Sequence, residues 1–298
     1  MKRTHVLSFE MMPPRNKSTI ASFWSCSKQL VALRPDFISI TYGAGGFDYT
    51  SSLKVITKLV DDTPIIPIAH LTCIATPKSV LEETVDAFLD AGVRMFLALR
   101  GDEPKRKLLA AEDDEKLSSS AQLTHLIRML DKKRFRKSAE NKFTTIARPL
   151  VVCVAAFPNG NPVTGTSVEQ EIDKLLEKQD AGADFAITQV YYSARDFDNF
   201  MKKASRAGVQ IPILAGILPS WEPARLLKAQ KNIGVQAPEE LLRSLESAIT
   251  EEDRYEIGLQ FWTDLAFAAL ESGAPGIHAF TFNKPTPPTM LAQRLGLI

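Results

Sequence analysis

Two carboxylates stand at the ends of apolar runs far apart in the chain. Glu10 closes the first such run, and Asp102 follows the fourth, two residues beyond Arg100. A buried strand cannot hold ionised groups without a large desolvation cost, so these side chains belong at strand ends that a polar ligand can reach. A carboxyl among apolar neighbours has a raised pKa and suits a general acid, whereas one beside an arginine stays ionised. The pair predicts an acid and an electrostatic partner.

Strands and helices are predicted to alternate along the whole chain. The apolar runs predict strands at residues 6–10, 36–41, 65–71, 93–99, 149–156, 185–190, 211–217 and 276–281. Amphipathic segments predict helices at residues 18–33, 50–60, 77–91, 119–130, 167–181, 196–207, 222–229, 238–248, 252–271 and 288–295, with Thr76 as an N-cap. Glycines follow several of these helices directly before a strand, where a left-handed C-cap is expected: Gly92, Gly182, Gly208 and Gly273.

This alternation favours one (β/α)₈ barrel over an open doubly wound sheet, because eight short strands alternate with helices in about 300 residues. We predict a single catalytic α/β domain over residues 1–298, a TIM barrel with extra helices before the last strand and without a second domain. The basic run 131–137 is predicted to be a solvated loop on the face opposite the barrel mouth.

Composition excludes several classes of protein. The chain has 36 Lys and Arg against 35 Asp and Glu, so its net charge of +1 argues against nucleic acid as a partner. No apolar run is long enough to span a bilayer, and no signal-peptide pattern is present, so we expect a cytoplasmic protein without a membrane partner. The cysteines, Cys26, Cys73 and Cys153, are far apart and odd in number, which indicates buried free thiols and no metal site.

In a barrel, all eight strand ends converge on one mouth. Six of the eight predicted strands end in a polar group, which makes a shared site a better interpretation than isolated loop residues. The strand ends include Glu10, residues 41–46, His70, residues 100–102, residues 156–159, residues 188–189, residues 217–219 and residues 282–284. The glycine-rich segment 42–46 allows backbone to approach a flat ring. No nucleophile elbow, Walker loop or dinucleotide fingerprint is present. No side chain at these strand ends can carry out redox or one-carbon chemistry alone, so such chemistry would need a cofactor.

These strand ends resemble those of the methylenetetrahydrofolate reductase family, from about Leu7 to the C-terminus. The matching segments are residues 8–15, 40–46, 70–73, 98–102, 182–189 and 215–219. The chain is similar to the short bacterial type, which lacks the C-terminal regulatory domain of the eukaryotic enzymes. The resemblance implies reduction of 5,10-methylenetetrahydrofolate to 5-methyltetrahydrofolate by NADH or NADPH through a non-covalent FAD, in one-carbon metabolism and methionine biosynthesis. A homo-oligomer is left open.

The resemblance also implies roles for single residues. Glu10 would protonate the folate during ring opening, and Asp102 would stabilise the cationic iminium. Gln189 and Lys284 would bind the substrate. The cofactor would be held by Thr41, Tyr42, Ala44, His70, Arg100, Gly101, Asp102, Phe157 and Asn161, with Lys178 on its diphosphate.

Departures from the family pattern fall on the adenosine diphosphate half of FAD. Phe157 and Asn161 replace a tyrosine and a histidine, and Glu171, Lys174 and Glu177 replace an aspartate, an asparagine and an arginine. Glu177 in place of an arginine near a diphosphate is unfavourable by charge, and Lys174, one turn away on the same face, is the candidate to replace that arginine. Three alternatives therefore stay open: a flavin-free reductase in which the nicotinamide reduces the folate directly, a catalytically silent folate- or flavin-binding homologue, and a folate-dependent methyltransferase barrel. The charged loop 103–117 is either a cover for the cofactor or a surface excursion.

Overall fold

A computed structural model describes residues 4–42, 50–102, 115–139 and 149–298, with the backbone alone for 135–139. The strands are β1 (Val6–Met11), β2 (Phe37–Ile40), β3 (Ile66–Thr72), β4 (Met95–Leu99), β5 (Val151–Ala156), β6 (Phe185–Thr188), β7 (Ile213–Ile217) and β8 (Gly276–Phe280). Each strand pairs in parallel with the next, and β8 pairs with β1 to close the barrel. The predicted (β/α)₈ fold is confirmed.

Ten α-helices surround the barrel in the described part of the chain. They are α1 (Ile20–Ala32), α2 (Thr50–Asp62), α3 (Lys78–Asp90), α4 (Ser120–Ala139), α5 (Val168–Asp180), α6 (Ala194–Ala207), α7 (Pro223–Ile233), α8 (Glu239–Ser247), α9 (Glu251–Glu271) and α10 (Thr286–Arg294), and a 3₁₀ turn (Lys17–Thr19) precedes α1. Two extra helices, α8 and α9, precede the last strand, as predicted. The predicted C-cap glycines are confirmed, because all four have φ between +82° and +102°.

Alternate residues of each strand face the inside of the barrel. Six apolar side chains fill the interior: Phe37, Ile68, Leu97, Cys153, Ile187 and Leu214. The opposite strand faces pack against the helices, as Phe9 and Met11 do. In β1 the alternation therefore directs Ser8 and Glu10 inward, and Glu10 lies at the end of β1 that opens to the mouth.

Two local predictions are wrong. Thr76 is not the N-cap of α3, because the helix begins at Lys78 and its N-cap is Pro77. The basic run 131–137 is not a loop but the last part of α4, which continues to Ala139. Arg134 forms ion pairs with Asp86 and Asp90 on α3, so one of the charges that indicated a loop instead joins two neighbouring helices.

The cysteine prediction is confirmed, since Cys26, Cys73 and Cys153 are all buried free thiols. In the described ranges, no group of His, Cys, Asp and Glu side chains has the arrangement of a metal site. None of the helices described there has the length and apolar character needed to cross a membrane.

Candidate active site

Glu10 is a carboxyl group in apolar surroundings at the barrel mouth. Its side chain is 21% exposed, and burial raises its pKa to about 7. The backbone oxygen of Glu10 accepts a hydrogen bond of 2.6 Å from the Thr281 hydroxyl, which holds the end of β1 against the end of β8. A carboxyl group with this pKa stays largely protonated up to neutral pH and can give a proton to a bound ligand.

His70 lies beside Glu10 at the end of β3. Its Nε2 is 3.9 Å from the Glu10 carboxylate oxygen, and this nitrogen has no hydrogen-bond partner among the described residues. Burial lowers the pKa of His70 to about 3, so the ring is neutral at physiological pH. A neutral imidazole leaves the pKa of Glu10 high, whereas an imidazolium at this distance would lower it.

A polar cluster lies one layer deeper in the barrel, and sequence reasoning missed it. His278 Nδ1 is 2.8 Å from the Ser8 hydroxyl, and its Nε2 is 3.4 Å from the Ser39 hydroxyl. The ring stacks on Phe37, with 6.0 Å between centroids. Burial lowers the pKa of His278 to about 3. The sequence signal was present, because these polar residues occupy inward positions of otherwise apolar strands.

The loop after β4 packs tightly against the loop after β3. The Arg100 carbonyl oxygen accepts a hydrogen bond of 2.8 Å from the Ile74 amide. Gly101 has φ +85°, and a Cβ there would lie 2.9 Å from Thr72 Cβ, so this position requires glycine. Arg100 is half-buried and Asp102 is exposed at the rim, which agrees with the expectation that both charges avoid the core.

The end of β2 forms another part of the mouth. Thr41 and Tyr42 are half-buried there, and the Thr41 amide donates to the Met11 carbonyl at 3.0 Å. Ala44 lies outside the described residues, as do residues 103–114 of the loop whose role was left open.

Gln189 is half-buried after β6. Its backbone amide donates to the Ala156 carbonyl at 2.8 Å, and its side-chain oxygen accepts from the Val190 amide at 2.9 Å. These bonds orient the carboxamide so that its NH₂ group is the part that remains for a ligand.

The segment after β8 is attached to the segment after β1. The Asn283 side chain accepts from the Met12 amide at 2.9 Å and donates to the Met12 carbonyl at 2.7 Å. Phe282 and Asn283 both have positive φ, at 47° and 57°. Sequence reasoning missed this role of Asn283. Lys284 follows as an exposed residue at the rim.

Helix α5 and the preceding turn, residues 157–167, form what we call the α5 wall. Lys178 was expected to reach a diphosphate from this wall, but it is only 6% exposed. Its Nζ donates to the Ala155 carbonyl at 2.9 Å and lies 5.8 Å from the centre of the Phe157 ring. Burial lowers the pKa of Lys178 to about 8. The lysine therefore packs between helix and barrel, and this placement does not fit a contact with a diphosphate.

Three further polar side chains of the α5 wall, Thr166, Glu171 and Lys174, contact one another. Glu171 has a side chain only 2% exposed, which accepts from the Thr166 hydroxyl and pairs with Lys174 at 2.8 Å. Asn161 is held in the turn, with its amide 2.9 Å from the Thr166 carbonyl. Glu177 is exposed. The α5 wall carries five carboxylates and two lysines, both of which are engaged, so it has no net positive charge and does not fit the diphosphate of FAD.

A family model and the curated relatives point to one family. A family model described as "Methylenetetrahydrofolate reductase" matches residues 1–296. The 5,10-methylenetetrahydrofolate reductase of Pectobacterium carotovorum subsp. carotovorum is 26% identical over 98% of this chain and 90% of its own length. The Escherichia coli (strain K12) protein of the same name is 25% identical with the same coverage.

A plant relative and a solved structure extend the comparison. Methylenetetrahydrofolate reductase (NADH) 1 of Arabidopsis thaliana is 25% identical over 98% of this chain but only 48% of its own length. A solved Clostridium thermocellum protein, described as binding two copies of 5-methyl-5,6,7,8-tetrahydrofolic acid, has the same fold, with a TM-score of 0.61 and 14% identity over 99% of this chain and 95% of its own. The family model covers residues 1–296 of the 298, so the chain belongs to the methylenetetrahydrofolate reductase family.

Proposed function

We propose that this protein reduces 5,10-methylenetetrahydrofolate to 5-methyltetrahydrofolate with NADH or NADPH as the electron donor. The observation that carries the proposal is the half-buried Glu10 carboxyl, whose pKa desolvation raises to about 7, at the mouth of a barrel of this family. A simple binding protein has little use for a protonated acid at that place. The reaction needs one, because opening the five-membered ring of the substrate requires a proton.

Glu10 is the general acid in this proposal. It gives its proton to N10 of the folate, the bond from N10 to the methylene carbon breaks, and a 5-iminium cation forms. The neutral His70 at 3.9 Å does not compete for this proton, since its pKa is about 3. After turnover, the Glu10 carboxylate takes a proton back from solvent.

Asp102 and Gln189 are the proposed substrate-binding residues. Asp102 is exposed at the rim and its carboxylate would stabilise the cationic iminium, while the Gln189 carboxamide would bind the pterin ring through its NH₂ group. Lys284 lies exposed at the same rim, and we propose that it attracts the carboxylates of the folate tail. Thr41, Arg100 and Gly101 remain proposed contacts for a flat cofactor ring in the mouth.

FAD is the cofactor that the family implies, and the α5 wall does not fit its diphosphate. The three residues expected to contact that half of FAD, Phe157, Asn161 and Lys178, are engaged with the barrel or with one another. We therefore propose the overall reaction and assign none of its steps to flavin. The protein's own residues supply the proton, the pterin contact and the stabilisation of the cation.

Glu10→Gln is the decisive test of this function. We expect the wild type to form 5-methyltetrahydrofolate while consuming NADH or NADPH, measured by absorbance and by mass spectrometry of the product. The variant should lose about 10²–10⁴-fold in kcat, the usual contribution of a general acid. Binding of methyltetrahydrofolate, followed by titration, should change by only a few-fold.

Glu240→Gln is the matched control, since Glu240 is exposed on α8 and should keep full activity. Wild-type protein that binds folate tightly but forms no product, with and without added FAD, would refute the reductase and favour a silent folate-binding homologue. Product formation without nicotinamide consumption would point to a methyltransferase instead.

A further inference from the structure

The N-terminus of α5 is already capped by its own side chains and carries two carboxylates in its first turn. The Ser167 hydroxyl accepts from the Gln170 amide, and the Gln170 side chain accepts from the Ser167 amide, so a complete capping box occupies the helix start. Glu169 and Glu171 lie in the first turn. Helix N-termini bind phosphates through free amides and a positive dipole end. Here the capping box takes two of the amides, and the first turn carries Glu169 and Glu171, each paired with a lysine, so this helix start offers an anionic diphosphate no uncompensated positive charge.

The turn before α5 is held by two backbone hydrogen bonds between Asn161 and Thr166. The amide of Asn161 donates to the Thr166 carbonyl, and the Thr166 amide donates back to the Asn161 carbonyl. Gly160 has φ +70°, and a Cβ there would lie 2.5 Å from the Thr166 carbonyl oxygen. On the other side, Pro162 packs so closely on Gly234 that a Cβ on that glycine would be 2.8 Å away. The turn is therefore held from both sides and does not open a groove for an adenosine diphosphate.

Both lysines of the α5 wall already have partners within the protein, although the Lys174 side chain is 41% exposed and only Lys178 is buried. Lys174 neutralises the buried Glu171, and removing it would leave a carboxylate uncompensated in the core. Lys178 donates to the Ala155 carbonyl from a site that is nearly closed to solvent. Turning either lysine outward to a diphosphate would break an existing buried contact.

From these three observations we propose that the protein is a flavin-free reductase, in which the reduced nicotinamide gives its hydride directly to the folate. The inference rests on the proposed reductase function and adds that the hydride passes from the nicotinamide to the folate without an intermediate carrier. The C4–H bond of the dihydronicotinamide breaks, and its hydrogen and electron pair form the new C–H bond at the iminium carbon. The nicotinamide is oxidised to NAD⁺ or NADP⁺, the iminium is reduced to a methyl group, and the proton comes from Glu10.

This route requires nicotinamide and folate to occupy the barrel mouth together. With the folate proposed to bind through Gln189, the nicotinamide would have to lie against it in the same mouth. Hydride transfer needs the donor carbon within about 3–3.5 Å of the acceptor carbon. A ternary complex of protein, nicotinamide and folate therefore replaces two successive half-reactions.

The first experiment measures flavin directly on the purified full-length protein. We expect no flavin bands in its visible spectrum, no flavin in an acid extract, and no saturable quenching when FAD is titrated and its fluorescence is followed. Turnover should be the same with and without added FAD. Turnover that requires FAD, or a bound flavin in near-equal amount with the protein, overturns the flavin-free route and leaves the reductase standing. Absence of turnover under both conditions overturns the reductase, and this inference with it.

The second experiment follows the hydrogen and does not depend on detecting flavin. With nicotinamide deuterated at the transferred C4 position, in ordinary water, the product methyl group should contain one deuterium per turnover. Steady-state rates at several folate concentrations should give intersecting double-reciprocal lines, as a ternary complex requires. Loss of the label to solvent together with parallel lines would show two separate half-reactions and overturn the direct transfer, because hydrogen on a reduced flavin nitrogen exchanges with water.

Discussion

At the scale of single residues, the site depends on two side chains, Glu10 and His70, whose charged forms burial disfavours. Glu10 and His70 are both desolvated at the barrel mouth, and burial moves their pKa values in opposite directions, to about 7 and about 3. Each group is therefore neutral near pH 6. Glu10 can then donate its proton to a ligand that becomes positively charged. Because the neighbouring imidazole is neutral, it does not repel that positive charge.

Glu10 should make the stability of the protein depend on pH. The ordinary pKa of a glutamate side chain is 4.5, and that of Glu10 in the folded protein is about 7, so the folded state holds the proton more tightly. The free energy of unfolding of the wild type, relative to that of Glu10→Gln, is therefore highest below about pH 4.5 and falls as the pH rises through about 7. The difference between about pH 4 and about pH 9 should be about 3 kcal/mol. Urea unfolding of both proteins at each pH measures it, and an unchanged difference would mean that Glu10 is not desolvated.

At the scale of elements, β1, β2 and β8 share a buried polar cluster below the acid. Ser8 and Ser39 bind the two nitrogens of His278, whose side chain is closed off from solvent. Glu10 follows Ser8 by two residues on the same face of β1, so the cluster supports the layer that carries the acid. Satisfied buried polar groups of this kind fix one arrangement of neighbouring strands.

Ser8→Ala should destabilise the fold by about 1–3 kcal/mol, because it leaves His278 Nδ1 buried without its partner at 2.8 Å. Chemical denaturation with circular dichroism measures the loss. The double variant Ser8→Ala/His278→Phe removes both partners and should recover part of it, since a phenyl ring can keep the stack on Phe37. A single variant as stable as the wild type would show that the hydrogen bond contributes nothing.

At the scale of the whole molecule, closure of the barrel between β8 and β1 brings the mouth together. Val6 pairs with Gly276 at the start of this seam, and Glu10 pairs with Phe280 at its end. The same closure places Asn283 against Met12 and Thr281 against the Glu10 backbone. Residues about 270 positions apart in sequence are thereby held within hydrogen-bond distance, and the acid is positioned by the last strand of the fold.

Gly276→Ala should destabilise the closed barrel, because its Cβ would lie 2.1 Å from the Val6 carbonyl oxygen. Overpacking of this kind costs about 1–3 kcal/mol or more. Gly208→Ala is the matched control: it has φ +102° and open space around a Cβ, so it meets only the backbone penalty of about 1–2 kcal/mol. Urea unfolding compares the two variants. An equal loss of stability in both would argue against steric blocking of the seam.

The sequence by itself determined the barrel and the composition of its mouth. Alternating strand and helix patterns identified all eight strands, and the closed parallel order follows from them. Glu10, His70 and Asp102 could be assigned to one end because the carboxyl ends of barrel strands converge there. The raised pKa of Glu10 was also predictable, since its neighbours in sequence are apolar.

Only the tertiary structure decided which way long polar side chains point and what they meet. The family resemblance places Lys178 on a diphosphate, but in the structure its Nζ donates to the Ala155 carbonyl. The basic run 131–137 continues a helix, in which Arg134 forms an ion pair with Asp86 on α3. The sequence does not distinguish His278 from other buried residues. The closed barrel places the Ser8 and Ser39 hydroxyls against its ring. Sequence periodicity fixes the face of a strand or helix, whereas the partner of a flexible or buried polar group depends on segments far away in the chain.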